Sequence, residues 1–162
     1  MSRNKPPAAV LLSTPDDVEA QFYEALQHGD IERLMAVWAD DEEIVCVHPG
    51  GARMIGAAAI RGSFEAVFAN GALHLHPEQQ HRLQQAGFAL HHLVERIEIA
   101  TEQGPQSACV LATNVFIKTA LGWRLVAHHA SPGMPMELSP ESGTGPAGAG
   151  GGLDGQRPST LH

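Results

Sequence analysis

The chain has 162 residues, 43% of them hydrophobic, and carries 18 acidic against 10 basic side chains, formally −8 at pH 7. That length suits one domain with a single core, and the acidic balance excludes a phosphate-binding surface, which needs clustered Lys and Arg. The apolar run Ala8 to Leu12 is too short for a secretion signal or a membrane span, so the chain is expected in the cytoplasm, with neither nucleic acid nor membrane as partner.

The first dozen residues carry little pattern, and residues 1–13 are read as a disordered leader. Thr14 then offers a helix cap, Pro15 suits the first helical position and Asp17 lies three residues after the cap. Val18, Phe22, Ala25 and Leu26 mark one face of that helix, which stops at His28-Gly29. Asp30 caps a second helix in which Ile31, Leu34, Met35 and Trp38 recur at helical spacing. "EEIVCV" follows as a strand ended by Pro49-Gly50-Gly51. After Gly56, the spacing of Ile60, Phe64, Val67 and Phe68 predicts a third helix up to Asn70-Gly71. The remainder reads as a short strand "LHLH" and three long ones, "GFALHHLVERIEIA", "QSACVLATNVFIKT" and "GWRLVAHHAS", joined by tight turns in an antiparallel meander. Beyond Pro132, residues 133–162 hold eight of the seventeen glycines without apolar periodicity, which predicts a disordered tail after a domain over 14–132.

Cys109 to Ile117 is apolar at both parities: Cys109, Leu111, Val115 and Ile117 on one side, Val110, Ala112 and Phe116 on the other. Such a strand needs cover on both faces. Helices supply one cover and a second copy of the chain the other, so a homodimer through the outer sheet face is expected. Cys46 and Cys109 lie in apolar runs and are read as reduced, buried thiols, with a disulfide as the competing reading.

The order of these elements, the "VHPGG" after the first strand, the Gly56-to-Phe68 helix and the closing "WRLV" with "HHAS" resemble the SnoaL-like branch of the nuclear transport factor 2 superfamily. The association domain of calcium/calmodulin-dependent protein kinase type II is similar in layout. The resemblance implies an α+β cone, a strongly curved, mainly antiparallel sheet wrapped around three helices, with a concave pocket for a small hydrophobic ligand. It leaves function open between isomerase, dehydratase or cyclase chemistry and a non-catalytic association module, since one fold hosts many activities.

Strand parity selects the polar groups for such a pocket. His91 and Glu95 share a face with Leu93, Ile97 and Ile99, and a carboxylate two residues from an imidazole on a buried face is a candidate general base. A structural pairing of Glu95 with an arginine is the alternative. His129 has the parity of Trp123, Leu125 and Ala127, and matches the H-x-S ending of the family with Ser131, so it is expected in the pocket and His128 on the opposite face. Glu95 and His129 are thus the candidate catalytic residues. His48, Asn114, His91 and Trp38 are the candidate ligand-binding ones; the structural readings beside them are a turn contact for His48, an inter-strand amide for Asn114 and a core plug for Trp38, and for His129 a hydrogen-bonded structural histidine near the strand end. His74 and His76 lack a second ligand pair, so no metal is expected. Without a phosphate loop, nucleophile elbow or dinucleotide fingerprint, no cofactor is expected either.

Overall fold

The computed structural model describes residues 12–134. The expected leader and tail therefore lie almost wholly outside the described residues. Leu12 is an exception to the leader: it is buried and bridges Gly122 at the sheet.

Helix α1 (Pro15–His28) forms where the sequence places it, because its ends are satisfied locally. Thr14 Oγ1 accepts from the Asp17 N–H while the Asp17 carboxylate accepts from the Thr14 N–H, both at 3.1 Å, and Gly29 closes the helix in the left-handed region at φ 64°. Helix α2 (Ile31–Ala36) is capped by Asp30, and ends sooner than the periodicity through Trp38 suggests. The chain turns out of α2 because Leu125 bonds both sides of Trp38, accepting from the Ala39 N–H and donating its N–H to the Val37 C=O. Helix α3 (Ala57–Phe68) buries Ile60 and Phe64. Among the described residues no helix is long and apolar enough to cross a membrane.

The strands are β1 (Val45–Val47), β2 (Arg53–Ile55), β3 (Leu75–Gln84), β4 (Phe88–Thr101), β5 (Gly104–Thr119) and β6 (Gly122–Pro132). They form one sheet in the order β2-β1-β6-β5-β4-β3. All neighbours are antiparallel except β1 and β6, which run parallel. With three helices on its concave side the sheet makes the α+β cone. Two features depart from the sequence reading. The strand β2, three residues across a hairpin from β1, was not foreseen. The strand expected over "LHLH" begins only at Leu75 and runs ten residues, with its ladder to β4 interrupted between Glu78 and His81 and Gln79 at φ 54°. Only Leu75 of β3 is fully buried, so apolar alternation could not announce it.

On β5 the inward set is Val110, Ala112, Asn114 and Phe116, all buried, and Cys109, Leu111, Thr113, Val115 and Ile117 face outward, half-buried. The thiols differ accordingly. Both are free, but Cys46 is in the core and Cys109 on the half-covered outer face. Burial, with a smaller push from Glu95, raises the Cys46 thiol to about 12, which makes it an inert core residue.

A β-bulge decides the site. Phe116 pairs with Leu125 but Val115 pairs with Ala127, so Val126 is an extra residue in β6. Trp123 and Leu125 face inward before the bulge, and beyond it the inward positions are His128 and Ala130.

Candidate active site

The parity expected for the two terminal histidines is therefore inverted. His128 is buried and points into the cone, while His129 is exposed on the outer side, opposite Thr113. The correction follows from one inserted residue, because an odd slip moves every later side chain to the other face.

On β4, where no bulge intervenes, the expected face holds, with His91, Leu93 and Glu95 all buried inward. Glu95 pairs with no arginine in the hydrogen-bonded set around it. Tyr23 of α1 donates its phenol O–H to Glu95 Oε2 at 2.7 Å, and His128 Nε2 stands 3.8 Å from the same oxygen. Asn114 Nδ2 donates to the Tyr23 oxygen at 3.2 Å and to Glu19 Oε2 at 3.3 Å, and Glu19 Oε2 also faces His91 Nδ1 at 2.8 Å. Asn114 Oδ1 lies 2.6 Å from His128 Nδ1. Glu19, Tyr23, His91, Glu95, Asn114 and His128 are all between 1% and 4% exposed, so this is a connected polar network inside the core.

The network fixes protons. The Asn114 amide turns its N–H₂ toward Glu19 and the Tyr23 oxygen, leaving its oxygen toward His128. His128 then donates from Nδ1, and its Nε2 presents a lone pair. Burial, then the nearby imidazoles of His48 and His129, push its pKa down to about 3. Burial pushes Glu95 up to about 7; the Tyr23 hydrogen bond opposes that rise and the Glu19 charge adds to it. Both shifts favour the uncharged forms, so the close contact between Glu95 and His128 is a neutral acid beside a neutral base and not an ion pair. The Tyr23 phenol, raised well above 10 by burial and then by Glu95, stays a donor.

The pair opens onto a cavity of about 140 Å³ lined by Leu26, Pro49, Phe64, Val67, Leu73, Leu75 and Ile97, with Glu95, His128 and His48 as its polar groups. Phe22, Phe64 and Phe116 fill much of the cone, yet the cavity remains beside them. His48 sits edge-on to Phe64 with ring centroids 4.7 Å apart, and its Nε2 lies 3.0 Å from Ser63 Oγ. The Ser63 hydroxyl donates to the Ile60 carbonyl at 2.7 Å, so His48 Nε2 is the donor in that pair and its Nδ1 is unprotonated. Burial lowers the His48 pKa, keeping it neutral.

Of the residues expected in the site, Glu95 and His48 line the cavity. His91 and Asn114 stand behind it in the network, and His129 lies outside. Trp38 lines separate clefts of about 440 and 530 Å³ near α2, where its buried indole N–H has no acceptor among the described residues. Sequence reasoning passed over Tyr23, Glu19 and Ser63. The signal for the first two was present: Glu19 and Tyr23 are four residues apart beside the Phe22–Leu26 stripe, and Tyr23 is the chain's one tyrosine. Asp16, Glu19 and His91 place three metal-capable atoms within 4.8 Å, but Asp16 pairs with Arg82 at 2.8 Å, and Glu19 and His91 pair with each other.

A curled, mainly antiparallel six-stranded sheet over three helices is the α+β cone of the nuclear transport factor 2-like class. Residues 16–137 match the model of the SnoaL-like domain, and the chain belongs to that family. Among solved structures it is similar to a candidate calcium/calmodulin-dependent protein kinase type II association domain from Thiobacillus denitrificans. That match is at 36% identity and TM-score 0.71, over 77% of this chain and 99% of that one. It is also similar to a candidate dehydratase of the nuclear transport factor 2-like family from Streptomyces avermitilis, at 29% identity and TM-score 0.65, over 75% and 100%. The calcium/calmodulin-dependent kinase hub of S. rosetta shares the fold at 20% identity and TM-score 0.59, over 82% and 100%. No curated protein sequence matches the chain.

Proposed function

We propose that this protein binds a small, uncharged, mostly apolar hydroxy-carbonyl compound in the cavity and dehydrates it with the Glu95–His128 pair. The observation that carries the reading is the approach of His128 Nε2 to Glu95 Oε2, 3.8 Å apart, in a cavity whose remaining lining is, apart from His48, aliphatic and aromatic. A cavity of about 150 Å³ with such walls admits a benzene-sized molecule, which sets the size class. A carboxyl group with a pKa near the working pH suits acid/base catalysis.

In the step envisaged, His128 Nε2 takes the proton from the carbon next to the carbonyl, and the carbon–carbon double bond forms as the bond to the β-hydroxyl breaks. Protonated Glu95 gives its proton to the departing oxygen, which leaves as water. As Glu95 becomes a carboxylate beside it, His128 becomes more basic, because an opposite charge favours the imidazolium. Transfer of the new proton from His128 back to Glu95 restores the starting state. The similarity to a candidate dehydratase agrees with this chemistry.

The test is 3-hydroxycyclohexanone as substrate, with enone formation followed by its ultraviolet absorbance, in wild type, Glu95→Gln and His128→Gln. Turnover lost in both variants supports the reading. Equal rates in wild type and Glu95→Gln, or cyclohexenone that binds without moving the His128 ring resonances, overturns it.

Assembly is the second reading, and a separate observation favours it. Leu90, Leu111 and Val115 make a half-buried apolar band on the outer sheet face, with Phe88 and Leu83 exposed at its edge. A twin subunit on that face gives a homodimer of the standard interface class, about 1,200–2,000 Å² in total. The likeness to association domains agrees with oligomer formation. Sedimentation of Leu111→Asp at half the wild-type mass would support it, and a monomeric wild type at all concentrations would dismiss it.

A further inference from the structure

Glu19 lines no part of the cavity, yet its position constrains what the cavity presents. It is a buried carboxylate on α1 whose Oε2 takes two contacts, from Asn114 Nδ2 at 3.3 Å and from His91 Nδ1 at 2.8 Å. Asn114 in turn touches three groups that differ in what they can do: Glu19 accepts, the Tyr23 oxygen both accepts and donates, and His128 Nδ1 does either according to its tautomer. An asparagine amide presents an oxygen on one side and an N–H₂ on the other, so its orientation is a binary choice. With Glu19 in place only one orientation leaves every contact a donor facing an acceptor. Reversing the amide puts its oxygen against the Glu19 carboxylate and its N–H₂ against His128. His128 would then have to carry its proton on Nε2, aimed at Glu95 and the cavity.

We infer that Glu19 is the positioning residue that sets the tautomer of His128, acting through the orientation of Asn114, so that a lone pair rather than an N–H faces the cavity. His91 holds the carboxylate in turn, with its ring centroid 4.8 Å from that of Phe116 and its Nδ1 on Glu19 Oε2. Phe22 braces the other end, with its ring centroid 4.9 Å from that of His128. The device spans three elements, α1, β5 and β6, and the choice made at Glu19 emerges at Nε2. The consequence for ligands is a matter of sign. With Nε2 unprotonated, the floor of the cavity offers acceptors and the Glu95 acid proton, which favours a ligand hydroxyl or an acidic C–H. A carbonyl oxygen aimed at His128 is disfavoured. For turnover, though not for the tautomer itself, the inference rests on the dehydratase reading above.

The experiment is long-range ¹H–¹⁵N correlation of the His128 ring, which distinguishes protonated from unprotonated nitrogen at each position and needs no substrate. Wild type is expected to show Nδ1–H with unprotonated Nε2; the opposite pattern overturns the inference at once, whatever any variant does. Glu19→Met removes the acceptor and should populate the Nε2–H form. The double variant Glu19→Met/Asn114→Asp replaces the amide by a group that only accepts, keeps one carboxylate in the network, and should return His128 to Nδ1–H. If Glu19→Met folds and keeps the wild-type pattern, Glu19 does not set the tautomer. If it does not fold, the double variant and wild type still decide: an Nε2–H signal in either one refutes the scheme. With 3-hydroxycyclohexanone, Glu19→Met should lower kcat at least tenfold with KM within about twofold, and the double variant should recover most of the loss. Tautomers that follow the scheme in a protein without turnover would refute the dehydratase reading alone.

Discussion

Replacing Glu95 by Gln should make the protein more stable in alkali than wild type, although it alters a buried, hydrogen-bonded residue. The Gln side-chain oxygen can still accept from the Tyr23 hydroxyl, so the 2.7 Å contact survives and the variant differs chiefly in having no proton to lose. In the folded wild type the Glu95 carboxyl titrates near 7, against 4.5 for an ordinary glutamate. The sign follows from proton counting: between those values the native state binds more protons than the unfolded one, so stability falls as pH rises through the window. Fully developed above pH 7, the loss is about 3 kcal/mol, from 1.36 kcal/mol per pKa unit. Urea unfolding of both proteins at about pH 5 and about pH 8, at one protein concentration, measures it. Other titrating groups are common to both chains and cancel to first order in the comparison. The stability difference, variant minus wild type, should grow by about 2–3 kcal/mol between the two conditions. A difference that stays within about 0.5 kcal/mol would mean that Glu95 is an ordinary carboxylate. The acid/base reading would then lose its foundation.

His128 acts in the opposite direction. Its folded pKa near 3 lies below the usual 6.5, so the stability it contributes is present above pH 6.5 and lost as pH falls toward 3. His128→Gln should blunt acid unfolding of the chain, which circular dichroism during a pH titration will show. Gly122 sits at φ 108°, and a Cβ there would lie 2.6 Å from the Leu12 carbonyl oxygen. Gly122→Ala should therefore cost upwards of about 2 kcal/mol and release Leu12 from the sheet, read by amide exchange at Trp123, whose N–H bonds Leu12 C=O at 2.8 Å. Thr14→Ala breaks the capping box and should cost about 1 kcal/mol in thermal unfolding, with no effect on any reaction in the cavity.

What the sequence disclosed depended on how local the cause was. Helices α1 and α2 could be read because their caps and apolar stripes lie within a few residues of each other, as Thr14 and Asp17 do, and α3 could be read from its stripe alone. The inward face of β4 could be read because its alternation runs unbroken through His91, Leu93 and Glu95. β6 breaks the same rule at Val126, a residue like its neighbours in composition. Only the register against β5 reveals that His128 and His129 exchange faces. β2 and the length of β3 were hidden because their residues are mostly exposed and carry no apolar rhythm. Tyr23 and Glu19 were passed over because their partners, Glu95, His91 and Asn114, are 72 to 95 residues away, and a polar side chain on a helix flank looks solvated until the sheet folds over it.

The protonation of the Glu95–His128 pair is measured directly by a joint ¹³C and ¹⁵N titration of the Glu95 carboxyl and the His128 ring. At about pH 6 it should find Glu95 protonated and His128 neutral, with the carboxyl titrating near 7. A carboxylate facing an imidazolium at that pH would contradict it.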